Sequence, residues 1–209
     1  MSCFEWEQGT IKIPTSEWKT FRERIISAHN KSRIKLFDKA NALYEWIKAN
    51  KKRGENIFAY NGAFDRAWEA LTIHADDETR YEVQQFVEIN GKGKSKLQKP
   101  KKKDMKLLPL SKSANISFSD GEGHISLDNK TRQVHWGVDE NNHSCDNARA
   151  HDMGVAFFDA LRRVTWKRGS GGSIVGNDEY NRDARGDEEG GNYSKGEYGV
   201  NAKSPRRRR

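Results

Sequence analysis

The chain is poor in the residues that would mark a secreted, membrane-spanning or disulfide-bonded protein. Its 209 residues include two cysteines, Cys3 and Cys145, too few and too far apart for a disulfide framework, so a reducing compartment is expected. No window approaches the roughly eighteen consecutive apolar residues of a membrane-spanning helix. Met1 to Gln8 has no basic stretch followed by an apolar run. The expectation is a cytoplasmic protein, nuclear if the host is eukaryotic, with no membrane partner. Apolar side chains are also scarce, at 34% hydrophobic against 33% charged residues, which leaves part of the chain unable to bury a core.

Catalytic signatures are missing as well. No serine or cysteine sits in a nucleophile elbow, and no internal repeat recurs at a fixed period. The glycine-rich stretch 168–177 lacks the Lys-Ser/Thr ending of a phosphate-binding loop and the glycine spacing of a dinucleotide turn. It reads instead as a glycine hairpin joining strands around Trp166 and Ile174. Asp178, Glu179 and Asp183 beyond it read as solvated acids. Enzymatic activity is not the leading expectation, and no cofactor is expected.

What the chain does have is positive charge in two places. Residues 91–112 hold nine lysines (Lys92, Lys94, Lys96, Lys99, Lys101, Lys102, Lys103, Lys106 and Lys112) against the single acid Asp104, and Arg206, Arg207, Arg208 and Arg209 form a basic end. These segments carry +8 and +4, so of the net +8 the remainder carries −4. A basic face on a fold is the usual footprint of a nucleic-acid binder, whereas here the charge lies in segments of low complexity. Lysines attract phosphate without reading bases, through release of counterions. The string Lys99-Pro100-Lys101-Lys102-Lys103 also resembles a nuclear localisation signal. The plainer alternative is a solvated linker kept extended by its own repulsion.

Along the chain, Phe4 and Trp6 alternate with polar residues, Gln8 and Gly9 suit a turn, and Ile11 and Ile13 alternate again, so a short hairpin is expected. Pro14 to Glu17 then read as a helix start. Trp18, Phe21, Ile25 and Ala28, then Leu36, Ala40, Leu43 and Ile47, keep a spacing of three or four around a polar gap at Ser32, which predicts one long amphipathic helix or two in line. Ile57, Tyr60, Phe64, Trp68 and Leu71 repeat the spacing, and Asp76 to Glu78 open a shorter helix carrying Tyr81, Val83, Phe86 and Val87. Residues 1–90 are thus expected to be mainly helical. Residues 91–112 are expected as a lysine-rich linker or exposed loop, whose stretch Met105, Leu107, Leu108 and Leu110 is able to dock on a neighbour.

Residues 113–181 change period. Ile116 and Phe118, Ile125 and Leu127, and Val134, Trp136 and Val138 predict a three-stranded antiparallel meander. A two-residue turn at Asn129 and Lys130 would place Ile125 opposite Val134 and His124 opposite His135. A helix carrying Ala150, Met153, Phe157, Leu161 and Val164 is expected to cover the apolar face. Residues 182–209 read as a disordered tail. The fold class is therefore α+β.

Within 124–151 lie His124, His135, His143, His151, Cys145 and Asp139, which are ligand types for zinc or another divalent metal. The layout resembles, in architecture alone, metal-dependent nucleases built on a hairpin and helix. The paired His-His element and Cys-x-x-Cys support of that family are absent. The alternative is a wet sheet face bearing solvated histidines. Cys145 near His143 and His151 is also a weak thiol-nucleophile candidate. Three functions follow in order. The leading one is a non-enzymatic protein contacting nucleic acid or a nucleoprotein complex through its basic segments. The second is a protein-binding regulator or inhibitor, of viral or mobile-element origin for instance, using six tryptophans as available anchors. The third is a hydrolase or nuclease using the histidine cluster.

Overall fold

The computed structural model describes residues 9–71, 77–91, 94–118, 123–138, 148–165, 171–174 and 197–199. The chain is α+β, with helices dominating the first ninety residues and an antiparallel sheet following, packed against a helix. It divides into two compact units, the first made of Met1–Asn30 with Leu108–Arg209 and the second of Lys31–Leu107. No helix among the described residues is long and apolar enough to cross a membrane.

Strand β1 (Gly9–Lys12) leads into helix α1 (Thr15–Asn50), one continuous helix of 36 residues. Residues up to Asn30 belong to the first unit and those from Lys31 to the second, so the division falls in the polar gap that interrupts the apolar stripe near Ser32. In the first unit, β4 (Ala114–Phe118), β5 (Gly123–Leu127) and β6 (Gln133–Val138) form the meander. Helix α4 (Ala148–Arg162) follows, then β7 (Gly171–Ile174) and β8 (Glu197–Gly199). The strand order is β4-β5-β6-β1-β7-β8, with antiparallel neighbours throughout.

Period-two alternation puts Ile116, Ile125, Leu127, Val134 and Trp136 on one face, where they are buried against Trp18, Phe21 and Ile25 of α1 and Met153, Phe157 and Leu161 of α4. Burying each of these large side chains stabilises the fold by roughly 1.5–3 kcal/mol relative to leaving it exposed. Trp136 packs its ring 5.0 Å from that of Phe157.

Three sequence expectations need correction here. Gly9 is not a turn residue but a strand residue, paired with Trp136 on one side and Ile174 on the other. The Trp136 ring lies over it, and a β-carbon on Gly9 would come within 2.1 Å of that ring. Glycine is required there by close approach, not by a turn. The partner strand expected at Phe4 and Trp6 lies outside the described residues.

The meander register is also shifted by two. Asn129 to Arg132 make a four-residue loop, with the Asp128 amide donating to the Gln133 carbonyl at 3.0 Å. Arg132 takes a left-handed conformation with φ 59°. Asp128 accepts from the Lys130 amide and the Thr131 hydroxyl, a local side-chain cap that a two-residue turn has no room for. Ile125 therefore pairs with Trp136 and Leu127 with Val134. A shift of two preserves which face each side chain occupies, so the apolar face stays as expected. Third, Gly171 and Gly172 lie within β7 and pair with β8, so they do not form the tip of a hairpin.

The second unit holds α1 from Lys31 onward, α2 (Ala63–Ala70), α3 (Asp77–Val87), the hairpin of β2 (Glu88–Gly91) and β3 (Lys94–Leu97), and a 3-10 turn at Lys102–Met105. Its core joins Leu36, Ala40, Leu43 and Ile47 of α1 to Phe64 and Trp68 of α2 and Val83, Phe86 and Val87 of α3. Helix α2 is shorter than its spacing predicts, because residues 51–62 form a compact loop. Asn61 there has φ 57°, and the Phe64 amide donates to the Ile57 carbonyl.

Candidate nucleic-acid interface

Of the lysine-rich stretch 91–112, expected as a linker or exposed loop, the part up to Leu107 belongs to the second unit. Lysine side chains from Lys96 to Lys106 are exposed while part of the apolar content turns inward. Pro100 is buried, and Leu97 and Met105 pack against the core. The hairpin is continued when the Gln98 amide donates to the Val87 carbonyl at 2.7 Å and the Gln98 side chain donates to the Glu88 carbonyl.

Arg33 of α1 fastens the next turn. Its Nε donates to the Met105 carbonyl at 3.0 Å, Nη2 donates to the Asp104 carbonyl at 3.2 Å, and Nη1 lies 3.6 Å from the Glu82 carboxylate. The guanidinium also sits 5.0 Å from the centre of the Phe86 ring. Arg33 is thus held on four sides and works as a brace. Lys106 closes the 3-10 turn in a left-handed conformation, φ 51°, with its amide donating to the Lys103 carbonyl.

This arrangement displays charge. Lys96, Lys99, Lys101, Lys102, Lys103 and Lys106 are all exposed, and none of them is ion-paired among the described residues. Lys101, Lys103 and Lys106 line a cleft of about 280 Å³, walled also by Gln85, Phe86 and Gln98. Asp104 is the one carboxylate on its lining. Three exposed ammonium groups around one small cleft are donors suited to phosphate oxygens. The sequence did not point to Gln85, Gln98 or the bracing role of Arg33, because Arg33 meets its carbonyl acceptors 71 and 72 residues away in the chain, which no local pattern marks. Lys94 lies in β3, whereas Lys92 and Arg206 to Arg209 lie outside the described residues.

The histidine candidates are distributed differently. His124 and His135 share the exposed polar face of the sheet, but the corrected register sets His124 opposite Gly137 and His135 opposite Ser126. The two rings are therefore diagonal neighbours, farther apart than an opposed pair. Nδ1 of His135 shares a 2.8 Å hydrogen bond with the Thr10 hydroxyl on β1, and the Ser126 hydroxyl donates to Oδ1 of Asn115. His151 lies in α4. Asp139, His143 and Cys145 lie outside the described residues, as do Asp178, Glu179 and Asp183. Among the described residues no group of three His, Cys, Asp or Glu side chains is placed to hold a metal ion.

A polar centre unforeseen in the sequence lies at the meander loop. Oδ1 of Asn129 accepts from Trp18 Nε1 at 3.0 Å and from Arg22 Nη1 at 2.7 Å, while its amide nitrogen donates to the Ser111 carbonyl. Arg22 also donates to the Leu110 carbonyl, and Asn30 exchanges two hydrogen bonds with the backbone of Leu108. These side chains fix the chain's entry into β4 and are fully committed to structure.

Comparison with known proteins finds no family model that matches the chain, no similar curated protein and no similar solved structure.

Proposed function

We propose that the protein binds nucleic acid, or a nucleoprotein complex through its nucleic acid, by the lysine-bearing surface of residues 94–106. What carries the reading is that exposed, unpaired lysines stand on an ordered support, three of them around one cleft, with Arg33 spent on holding that support. A solvated linker would need no such brace. Lysine ammonium groups meet phosphates as point charges and read no base edges, so binding is sequence-independent and steeply weakened by salt.

Fluorescence anisotropy with labelled oligonucleotides of unrelated sequence, titrated across salt, tests this. Equal affinities are expected, with log Kd against log salt linear. Replacing Lys101, Lys103 and Lys106 with Ala lowers that slope by roughly 2–3 if each contacts one phosphate of a duplex. Replacing Lys99, Lys101, Lys102 and Lys103 together weakens binding throughout. Binding unchanged by both variants removes this surface from the function.

A further inference from the structure

The loop between α1 and α2 presents one aromatic side chain almost entirely to solvent. Tyr60 is 91% exposed, while its loop companions Ile57 and Phe58 pack against the core of the second unit. Among the described residues the other exposed large apolar side chains of that unit, Ile34, Tyr81, Ile89 and Leu107, lie outside this loop, so Tyr60 is the loop's one strongly exposed ring.

Its position is fixed by the backbone beneath it. Gly62 is packed so closely that a β-carbon would lie 2.6 Å from the Ile57 and Ala59 carbonyl oxygens and 2.7 Å from that of Asn56. The Asn61 amide donates to the Asp65 carboxylate at 2.7 Å. Arg66 ties the two ends together, donating to both oxygens of Glu55 and to the Asn61 carbonyl, while Glu55 also accepts from the Lys52 amide at 2.8 Å. One guanidinium thus joins the residue after Tyr60 to the segment bearing Lys51, Lys52 and Arg53. All three of these side chains are exposed, as is Lys48 one turn earlier on α1.

Nearby acids cancel only part of that charge. Glu55 is taken by Arg66 and Asp65 by Arg80, which leaves Glu45 on α1 and Glu69 on α2 as the exposed acids on the turns of helix flanking the loop. An exposed ring on a braced loop that also carries several exposed cations is the kind of arrangement on which an unpaired base stacks while its phosphates are held.

We infer that this loop is a single-strand subsite, in which Tyr60 stacks on an unpaired base and Lys51, Lys52 and Arg53 hold the adjoining phosphates. The inference rests on the nucleic-acid reading above and adds to it a preference for unpaired strands, since a base within a duplex has no free face to offer.

The test uses the full chain, a fluorescein-labelled oligo(dT) and a duplex of the same length. Tyr60→Ala lowers affinity for the single strand about 5- to 100-fold and leaves the duplex affinity within about twofold, whereas Tyr60→Phe keeps single-strand binding within about twofold. With the side chain so exposed, an unchanged melting temperature is expected for both variants. Equal losses on single strand and duplex, or Tyr60→Phe failing as badly as Tyr60→Ala, overturn the stacking. Tyr60→Ala binding like the unaltered chain overturns the subsite while leaving the lysine surface in place. Failure of the unaltered chain to bind either probe overturns both readings.

Discussion

Among the described residues, aromatic rings of the first unit meet one another, whereas those of the second also meet guanidinium groups. Phe157 stands 5.0 Å from both Trp136 and Phe158 and 6.1 Å from Phe21, so one side chain of α4 joins the sheet to α1. In the second unit Arg33 covers Phe86 and Arg80 covers Phe64 and Trp68, at 5.0, 5.5 and 5.9 Å. Arg33 and Arg80 are in turn paired with Glu82 and Asp65. The first unit is held chiefly by apolar area, its described ion pairs being those of Asp159 with Arg162 and Arg163 on one helix. The second adds cations over ring faces and ion pairs that join separate helices, individually worth about 0.5–2 kcal/mol and weakened by salt. A unit that displays many lysines pairs its half-buried acids Glu55, Asp65 and Glu82 with arginine and leaves its lysines for solvent.

The comparison is broken most forcefully at Gly9. Gly9→Ala drives a methyl into the Trp136 ring, and Trp136 is 2% exposed with no room to retreat. We expect a loss of about 3 kcal/mol, at the upper end for overpacking, seen as a lowered denaturation midpoint with an unchanged slope. A neutral result would mean that this sheet is loosely packed, and the contrast between a jigsaw-like unit and an ion-braced one would fail.

How much of this was legible follows from the same contrast. Alternation in 116–138 and three-four spacing in α1 and α4 are local signatures of burial, so the α+β class, the apolar sheet face and the helix covering it were readable. The register was not, because the length of the loop at Asn129 depends on Asp128 capping Lys130 and Thr131, and a two-residue turn satisfies the same face parity. Gly9 was misread because its requirement comes from Trp136, far away in sequence. In 91–112 composition left open whether the segment is a linker or an exposed loop. Lysine content describes what side chains do in water, and it is silent on a backbone pinned by Arg33 and Gln98. Lys96, Lys99, Lys101, Lys102, Lys103 and Lys106 are exposed, whereas the histidine pair loses its opposition to the register shift.

A smaller effect sharpens the comparison from the second unit. Arg33→Met keeps much of the side chain's packing length but withdraws the donors held by Met105 and Asp104 and the charge facing Glu82. We expect about 1–2 kcal/mol of destabilisation. In hydrogen exchange, the amides of Asp104 and Lys106, which bond to the Lys101 and Lys103 carbonyls, should lose protection, and those of β5 and β6 should not. Nucleic-acid affinity should fall with the support of the lysines. Loss of protection in the sheet instead would show that the brace serves the whole chain.

The smallest effect is a dependence on acid. The Arg66 guanidinium hydrogen-bonded to Glu55, helped by the Lys52 amide, pulls its carboxyl from 4.5 down to about 2. A lowered folded-state value means that the charged form is favoured by folding, so its contribution is complete above about 4.5 and is lost as pH falls from there toward 2. Asp128 is lowered in the same direction by the Thr131 hydroxyl and the Lys130 amide, so the first unit carries an acid-sensitive turn of its own. The two are separable by substitution. Glu55→Gln should flatten the acid-induced loss of protection at the Asn61 and Phe64 amides, while Asp128→Asn should leave that profile alone and alter the one at the Lys130 amide. Because Glu55 is near the surface and screened by salt, raising ionic strength at pH 7 should reproduce part of the Glu55→Gln effect at the α1–α2 loop. Near-identical profiles for the two variants would mean that both regions respond to net charge and not to these particular pairs. That outcome would remove the distinction between a unit held by apolar packing and one held partly by ions.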